Sequence, residues 1–236
     1  VDAWFEMHDR FGKLSMADIL APTIAYAKEG HPIAPVIGYY LKSNLSRFEQ
    51  SLDMIGEFDN ARATYFKTGA PKAGEIFKNP DLANTLTKIA DGGRDAFYKG
   101  DIARTIDAYF KRIGGNLRYE DFAAHDSKWV EPGCVVYRNG YELCELPPNS
   151  QGFAALQMAN ILKNVDLTQW PRGSAEVLHY ITEAKRLAFE DVARFYADPD
   201  ISPAPLDWLL SDEYGKQRFA LIDPAKATPA FGPGEP

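Results

Sequence analysis

The stretch Leu146-Pro147-Pro148-Asn149-Ser150-Gln151-Gly152 joins a predicted strand to a predicted helix. It offers Asn149, Ser150 and Gln151 beside the unpaired N–H groups of a helix start. Such N–H groups carry partial positive charge, so the set can hold an anion or orient a carboxylate. The simpler role of the same residues is an elaborate helix cap. Glu190 and Asp191 form an acidic pair late in a long predicted helix. A solvated or ion-paired face is the plain expectation; burial of Asp191 against a neighbouring loop is the alternative. The four histidines, His8, His31, His125 and His179, make no HxxxH or HExxH pattern, and neither cysteine stands at ligand spacing to them. No metal site is expected. No GxSxG elbow, Walker loop or GxGxxG follows a predicted strand. The residues alone make no self-contained catalytic set.

The elements that would position these groups are mostly helices. Trp4, Phe5, His8 and Phe11 recur at helical spacing until Gly12. Ser15, with Asp18 three residues on, predicts a capped helix. Pro22 should break or kink that helix, and Gly30 should end it. A third helix starts near Pro35. Residues 56–78 read as loop-rich with one short strand at Thr64–Phe66. Asn79-Pro80 predicts a helix start ended at Gly92-Gly93, and Ile102 to Ile113 a further helix closed by Gly114-Gly115. The longest helix runs from about Ser174 to Tyr196, with Val177, Ile181, Ala184, Ala188, Val192 and Phe195 as its apolar stripe and Arg186, Glu190 and Arg194 on its outer face. Two short helices follow, near 205–210 and 212–221. Residues 230–236 read as a mobile linker.

The clearest strand signal spans Trp129 to Leu146. Asn139-Gly140 predicts a two-residue type I′ turn. In that register Cys134 faces Glu145, Cys144 faces Val135, and the two sulfurs point to opposite sides. A disulfide is disfavoured unless a bulge shifts the register by one. Long helices over one hairpin suggest that strands from elsewhere complete a larger sheet. Apolar helix faces should then await a partner.

The 236 residues carry 26 basic and 33 acidic side chains, a net charge of −7. No basic face is available for nucleic acid, and no apolar run reaches the roughly 18 residues of a membrane span. Val1-Asp2-Ala3-Trp4-Phe5 already reads as the inside of a helix, so further sequence is expected upstream.

Several blocks together resemble the large subunit of γ-glutamyltransferases. They are Val1-Asp2-Ala3-Trp4-Phe5 with Arg10-Phe11-Gly12; Leu20-Ala21-Pro22 with Ala27-Lys28-Glu29-Gly30; Ile89-Ala90 with Gly93-Arg94-Asp95-Ala96-Phe97-Tyr98-Lys99-Gly100; Gly114-Gly115 with Glu120-Asp121-Phe122-Ala123-Ala124; Tyr137-Arg138 with Gly140-Tyr141; Glu145-Leu146-Pro147-Pro148; and Ala197-Asp198-Pro199. They occur in the family's order from end to end of the chain. The resemblance implies an α/β (α+β) class: the helix-rich part of a four-layer αββα N-terminal-nucleophile hydrolase sandwich. Residues 1–236 would be a single domain, part of a large subunit, with 229–236 as the mobile tail before a self-cleavage site. The partner implied is a small subunit whose N-terminal Thr is the nucleophile, acting on a small γ-glutamyl substrate without a cofactor. No catalytic residue is carried over onto this chain. Asn149, Ser150 and Gln151 are the residues expected near substrate or small subunit. Relatives are usually exported, so a periplasmic or secreted protein is expected.

Two departures stand out. Many members read Pro-Pro-Pro-Ser-Ser-Gly-Gly where this chain has Pro147-Pro148-Asn149-Ser150-Gln151-Gly152-Phe153, and Asp-Arg where it has Asp191-Val192. The first bears on the acyl group and not on the reaction class. Beside a γ-glutamyl enzyme stand two alternatives: an amidohydrolase of the same fold with another acyl group, and a non-catalytic fragment.

Overall fold

A computed structural model of the chain describes residues 1–55 and 57–235. Gly56, at the head of the expected loop-rich segment, and Pro236, at the end of the expected tail, lie outside the described residues. The chain forms two compact units, Val1–Lys128 and the stretch from Trp129 onward.

The first unit is built from α1 (Asp2–Phe11), α2 (Met16–Glu29), β1 (His31–Pro32), α3 (Pro35–Gln50), α4 (Asp59–Tyr65), β2 (Ile76–Phe77), α5 (Pro80–Tyr98), α6 (Asp101–Ile113) and α7 (Tyr119–Ala123). Local chemistry accounts for its helix ends. Ser15 Oγ accepts the Asp18 N–H at 3.1 Å, and Asn79 Oδ1 accepts the Leu82 N–H at 3.0 Å, ahead of Pro80. Gly114 closes α6 in the left-handed region, at φ 75°. Pro22 does not end α2, which continues to Glu29 and packs along α5. Leu20 and Ala27 of α2 and Ala83, Leu86 and Ile89 of α5 are buried. The strand expected at Thr64–Phe66 is instead the end of α4. The Glu57 carboxylate accepts the Asn60 N–H, and Thr64 Oγ1 bonds back to the Asn60 carbonyl, so local hydrogen bonds favour the helix. The strand lies further on, where Ile76 and Phe77 pair antiparallel with Pro32 and His31.

This unit leaves large apolar side chains in water. Trp4, Met7, Phe11 and Ile19 are exposed. With Met16, Leu20 and Thr23 they line an open groove of about 470 Å³ between α1 and α2.

The second unit contains β3 (Gly133–Val136), β4 (Glu142–Glu145), α8 (Gly152–Leu162), α9 (Ala175–Phe195), α10 (Leu206–Leu209) and α11 (Asp212–Phe219). The hairpin corrects the expected register. Cys134 pairs with Cys144, Val135 with Leu143 and Gly133 with Glu145. The turn has three residues, Arg138 to Gly140, closed by the Tyr137 N–H on the Tyr141 carbonyl at 2.8 Å. Arg138 leaves the ladder because its guanidinium is held by the Leu162 carbonyl at 2.9 Å and by Asp166 at 3.3 Å. That shift of one residue puts the two sulfurs on the same side, and Cys134 and Cys144 form a disulfide across the ladder. The sequence reading disfavoured this bond.

α8 is the central helix. Phe153, Ala154, Leu156, Gln157, Ala159, Asn160, Ile161 and Leu162 are all buried. It packs on α9 and α11. Gly215 allows α11 to approach closely, since a Cβ there would lie 2.8 Å from the Asn160 carbonyl oxygen. α9 has the expected length, with Ser174 as its cap, and a buried face that overlaps the expected stripe and extends beyond it. Tyr180, Glu183, Ala184, Leu187, Ala188 and Asp191 point inward, whereas Ile181 is exposed. Ala184 and Ala188 of the expected stripe are fully buried and Val177, Val192 and Phe195 half-buried, so the correction is confined to Ile181 and to the two acids, which turn inward because they find polar partners there. Arg186 pairs with Glu183 at 2.7 Å rather than with Glu190.

Candidate functional site

The turn between β4 and α8 is a surface feature. Asn149, Ser150 and Gln151 are all exposed. Ser150 Oγ reaches back to the Leu146 and Pro147 carbonyls at 3.3 and 3.4 Å and accepts the Gly152 N–H at 3.4 Å. Gln151 occupies the N-cap of α8 without a side-chain cap bond. Pro147 and Phe153 line a neighbouring shallow cleft of about 450 Å³, with Gly133, Cys134, Leu206, Asp207 and Leu210 among its other walls. The arrangement presents polar groups and a helix N-terminus to an incoming anion or to another polypeptide.

The second unit also holds a polar centre that periodicity did not reveal, apart from the possibility of a buried Asp191. Asp191 is fully buried. Its Oδ2 accepts Gln157 Nε2 at 2.8 Å and the Tyr214 hydroxyl at 2.7 Å. Its Oδ1 accepts the Gly234 N–H at 2.9 Å, and Arg218 Nη2 stands 3.6 Å away. The Tyr196 hydroxyl donates to Gln157 Oε1 at 2.7 Å, extending the network. Burial, reinforced by the Asp191 charge, pushes the hydroxyls of Tyr196 and Tyr214 far above the ordinary tyrosine range. Both therefore act as hydrogen-bond donors to this centre.

The first unit has its own buried acid. Arg94 donates through Nε to Asp2 Oδ1 and through Nη2 to the His125 carbonyl. The same guanidinium lies 4.8 Å over the Tyr98 ring, which stacks at 4.9 Å on the His125 imidazole. Tyr98 also accepts the Asp2 N–H at 3.2 Å. Burial works to raise the Asp2 carboxyl, but hydrogen bonds from Arg94 and Ser127 and the Arg94 charge outweigh it and lower it to about 2.

Among the described residues, the grouping of metal-ligating types is Cys134, Glu142 and Cys144, all exposed. The two sulfurs are bonded to each other, which removes them as ligands. No helix among the described residues is long and apolar enough to cross a membrane.

Comparison with known proteins gives this geometry a context. The glutathione hydrolase-like YwrD proenzyme of Bacillus subtilis (strain 168) is 36% identical over 92% of this chain and 40% of its own length. The solved γ-glutamyltranspeptidase of Helicobacter pylori superposes with a TM-score of 0.83 at 30% identity, covering 95% of this chain and 63% of that one. A cephalosporin acylase from Bacillus halodurans gives a TM-score of 0.84 at 34% identity, over 94% of this chain and 41% of its own. The chain thus spans about two fifths of the length of the curated relatives it matches. It shares the N-terminal-nucleophile hydrolase architecture of these structures. The sequence model of the γ-glutamyltranspeptidase family matches residues 1–235, and with fold and sequence agreeing over nearly the whole chain, the protein belongs to that family.

Proposed function

We propose that this chain is the large-subunit portion of a γ-glutamyltransferase-like proenzyme that hydrolyses or transfers the γ-glutamyl group of glutathione and related amides. The observation that carries the reading is the family match from one end of the described chain to the other. The nucleophile belongs to a separate small subunit: the hydroxyl of its N-terminal Thr attacks the amide carbonyl. An O–C bond forms and the C–N bond breaks. The Thr α-amine takes the hydroxyl proton and passes it to the departing amine. Water or an acceptor amine then resolves the ester. In this arrangement the chain is scaffold and outer wall of the pocket. Asn149, Ser150 and Gln151 lie near the substrate or the small subunit. The exposed groove of α1 and α2 suits a chain that packs against further polypeptide. The Cys134–Cys144 disulfide suits an oxidising compartment, in keeping with a periplasmic or secreted protein.

A second reading keeps the fold and the chemistry but changes the acyl group. The likeness to a cephalosporin acylase favours it, as does the Asn149-Ser150-Gln151 sequence at the turn. The complete enzyme assayed on a γ-glutamyl anilide and on a simple acyl amide separates the two. Release of the anilide supports the first. Turnover of the acyl amide alone sinks it in favour of the second.

A further inference from the structure

The chain from Thr228 to Gly234, which includes most of the tail expected to be loose from residue 229 on, is tied down at successive points. The Thr228 N–H donates to Glu183 Oε2 at 3.0 Å. Arg186 donates to the Pro229 carbonyl at 3.1 Å and lies 5.1 Å over the Phe231 ring. Arg218 donates to the Gly232 carbonyl at 2.9 Å, and the Gly234 N–H closes the series on Asp191 at 2.9 Å. Glu183, Arg186 and Asp191 follow one another along α9, over about 12 Å at 1.5 Å per residue. Residues 228–234 are a strap laid along that helix in the same direction.

Two features mark the last anchor as a built seat. Glu183 and Asp191 are both buried acids whose acceptor atoms are turned to strap N–H groups. Gly234 also fits where no other residue would. A Cβ there would overlap the Tyr214 hydroxyl and lie 2.7 Å from two of its ring carbons. Tyr214 cannot retreat, because its ring is packed at 4.0 Å against Trp208 and its hydroxyl is held by Asp191. Gly232, two residues earlier, meets nothing within 4 Å of such a Cβ.

Resting on the reading of the chain as part of a self-cleaving proenzyme, we propose that Glu183, Arg186 and Asp191 of α9, with Arg218 of α11, are positioning residues for maturation. They seat residues 228–234 and so fix the direction in which the chain approaches the peptide bond to be cut. In that cut the Thr hydroxyl oxygen bonds to the preceding carbonyl carbon and the C–N bond breaks. The hydroxyl proton goes to the freed amine, and water hydrolyses the resulting ester. None of the positioning residues touches the reacting atoms. They restrict the backbone leading to the cut, which favours the conformation in which the Thr hydroxyl faces the carbonyl before it.

The test uses the complete proenzyme, purified uncleaved, with Gly234→Ala, Gly232→Ala and Arg186→Lys variants. Three quantities are read: the rate at which two subunits appear on a denaturing gel, the melting temperature of the precursor, and kcat and KM of the matured fraction. Gly234→Ala should slow splitting about tenfold, the scale of losing one positioning contact. Its melting temperature should fall only slightly, as for the loss of one of several donors to Asp191, less than the slowing of the cut would require, and the kinetics of its matured fraction should stay at wild-type values. Gly232→Ala should split like wild type, and Arg186→Lys should fall between. A Gly234→Ala precursor that splits at the wild-type rate overturns the proposal. So does one that slows only in step with a fall in melting temperature, or one whose matured fraction is equally impaired. A wild-type precursor that never splits overturns the proenzyme reading itself, and this inference with it.

Discussion

Asp2 and Asp191 are both shut away from water, each in its own unit, and they are held in different ways. Asp2 is matched by a guanidinium: Arg94 contacts it directly while keeping about a quarter of its own side chain in solvent. Asp191 is matched chiefly by neutral donors, namely an amide, a hydroxyl and a backbone N–H, with Arg218 set back at 3.6 Å. A strong charged partner at hydrogen-bond distance lowers a carboxyl well below its ordinary range, as at Asp2. A ring of neutral donors spreads the same task over several elements. The Asp2 centre ties α1 to α5 and the chain at His125. The Asp191 centre ties α8, α9 and α11 to a strap. Loss of one partner should therefore be tolerated differently in the two places.

The largest effect is expected from Asp191→Ala. It strands the donors of Gln157, Tyr214 and Gly234 in a site with no water access, and should cost about 3–5 kcal/mol of unfolding free energy. Asp2→Ala, which leaves a partly solvated Arg94, should cost less, about 1–3 kcal/mol. Denaturant titration of the complete protein compares them; equal losses would break the distinction. Next comes pH. The Asp2 carboxyl is lowered in the folded state, so its contribution is complete above the ordinary aspartate range and is lost as pH falls through about 2. Wild type should lose stability from about pH 4 downward more steeply than Asp2→Asn. Parallel curves would remove Asp2 from the argument. Tyr214→Phe deletes one of several donors to Asp191 and should cost about 1 kcal/mol. A loss as large as that of Asp191→Ala would mean that a single bond, rather than a network, holds the acid. Smallest is Ser174→Ala, which touches neither centre and should cost about 0.5–1 kcal/mol through the lost cap of α9. Thermal melting gives the baseline against which the others are judged.

Much of the helical framework could be read from residues only a few positions apart. Ser15 with Asp18, Asn79 with Pro80 and Leu82, Ser174 with Val177, and the left-handed Gly114 each act within one turn. The hairpin shows where such reading stops. Asn139-Gly140 does lie in the turn, but Arg138 joins it because Leu162 and Asp166 hold its side chain from far along the chain. The register, and with it the disulfide, follows from that distant contact. The same limit left the inward turn of Glu183 unread and that of Asp191 only an alternative. Periodicity assigns acids to the outside unless a partner is known, and those of Glu183 and Asp191 come from Thr228, Tyr214 and Gly234. At the turn of Asn149, Ser150 and Gln151 the sequence marks an unusual composition, and the structure places it on the surface beside a shallow cleft.

Sequence alone determined several capped helix ends, the net negative charge, and a family resemblance carried by ordered blocks, because propensity, capping and net charge are local or additive. Only the tertiary structure decided the strand register, the pairing of the two cysteines, the inward turn of two carboxylates and the seating of the strap. Each of these balances the cost of desolvating a polar group against partners that folding brings from far along the chain.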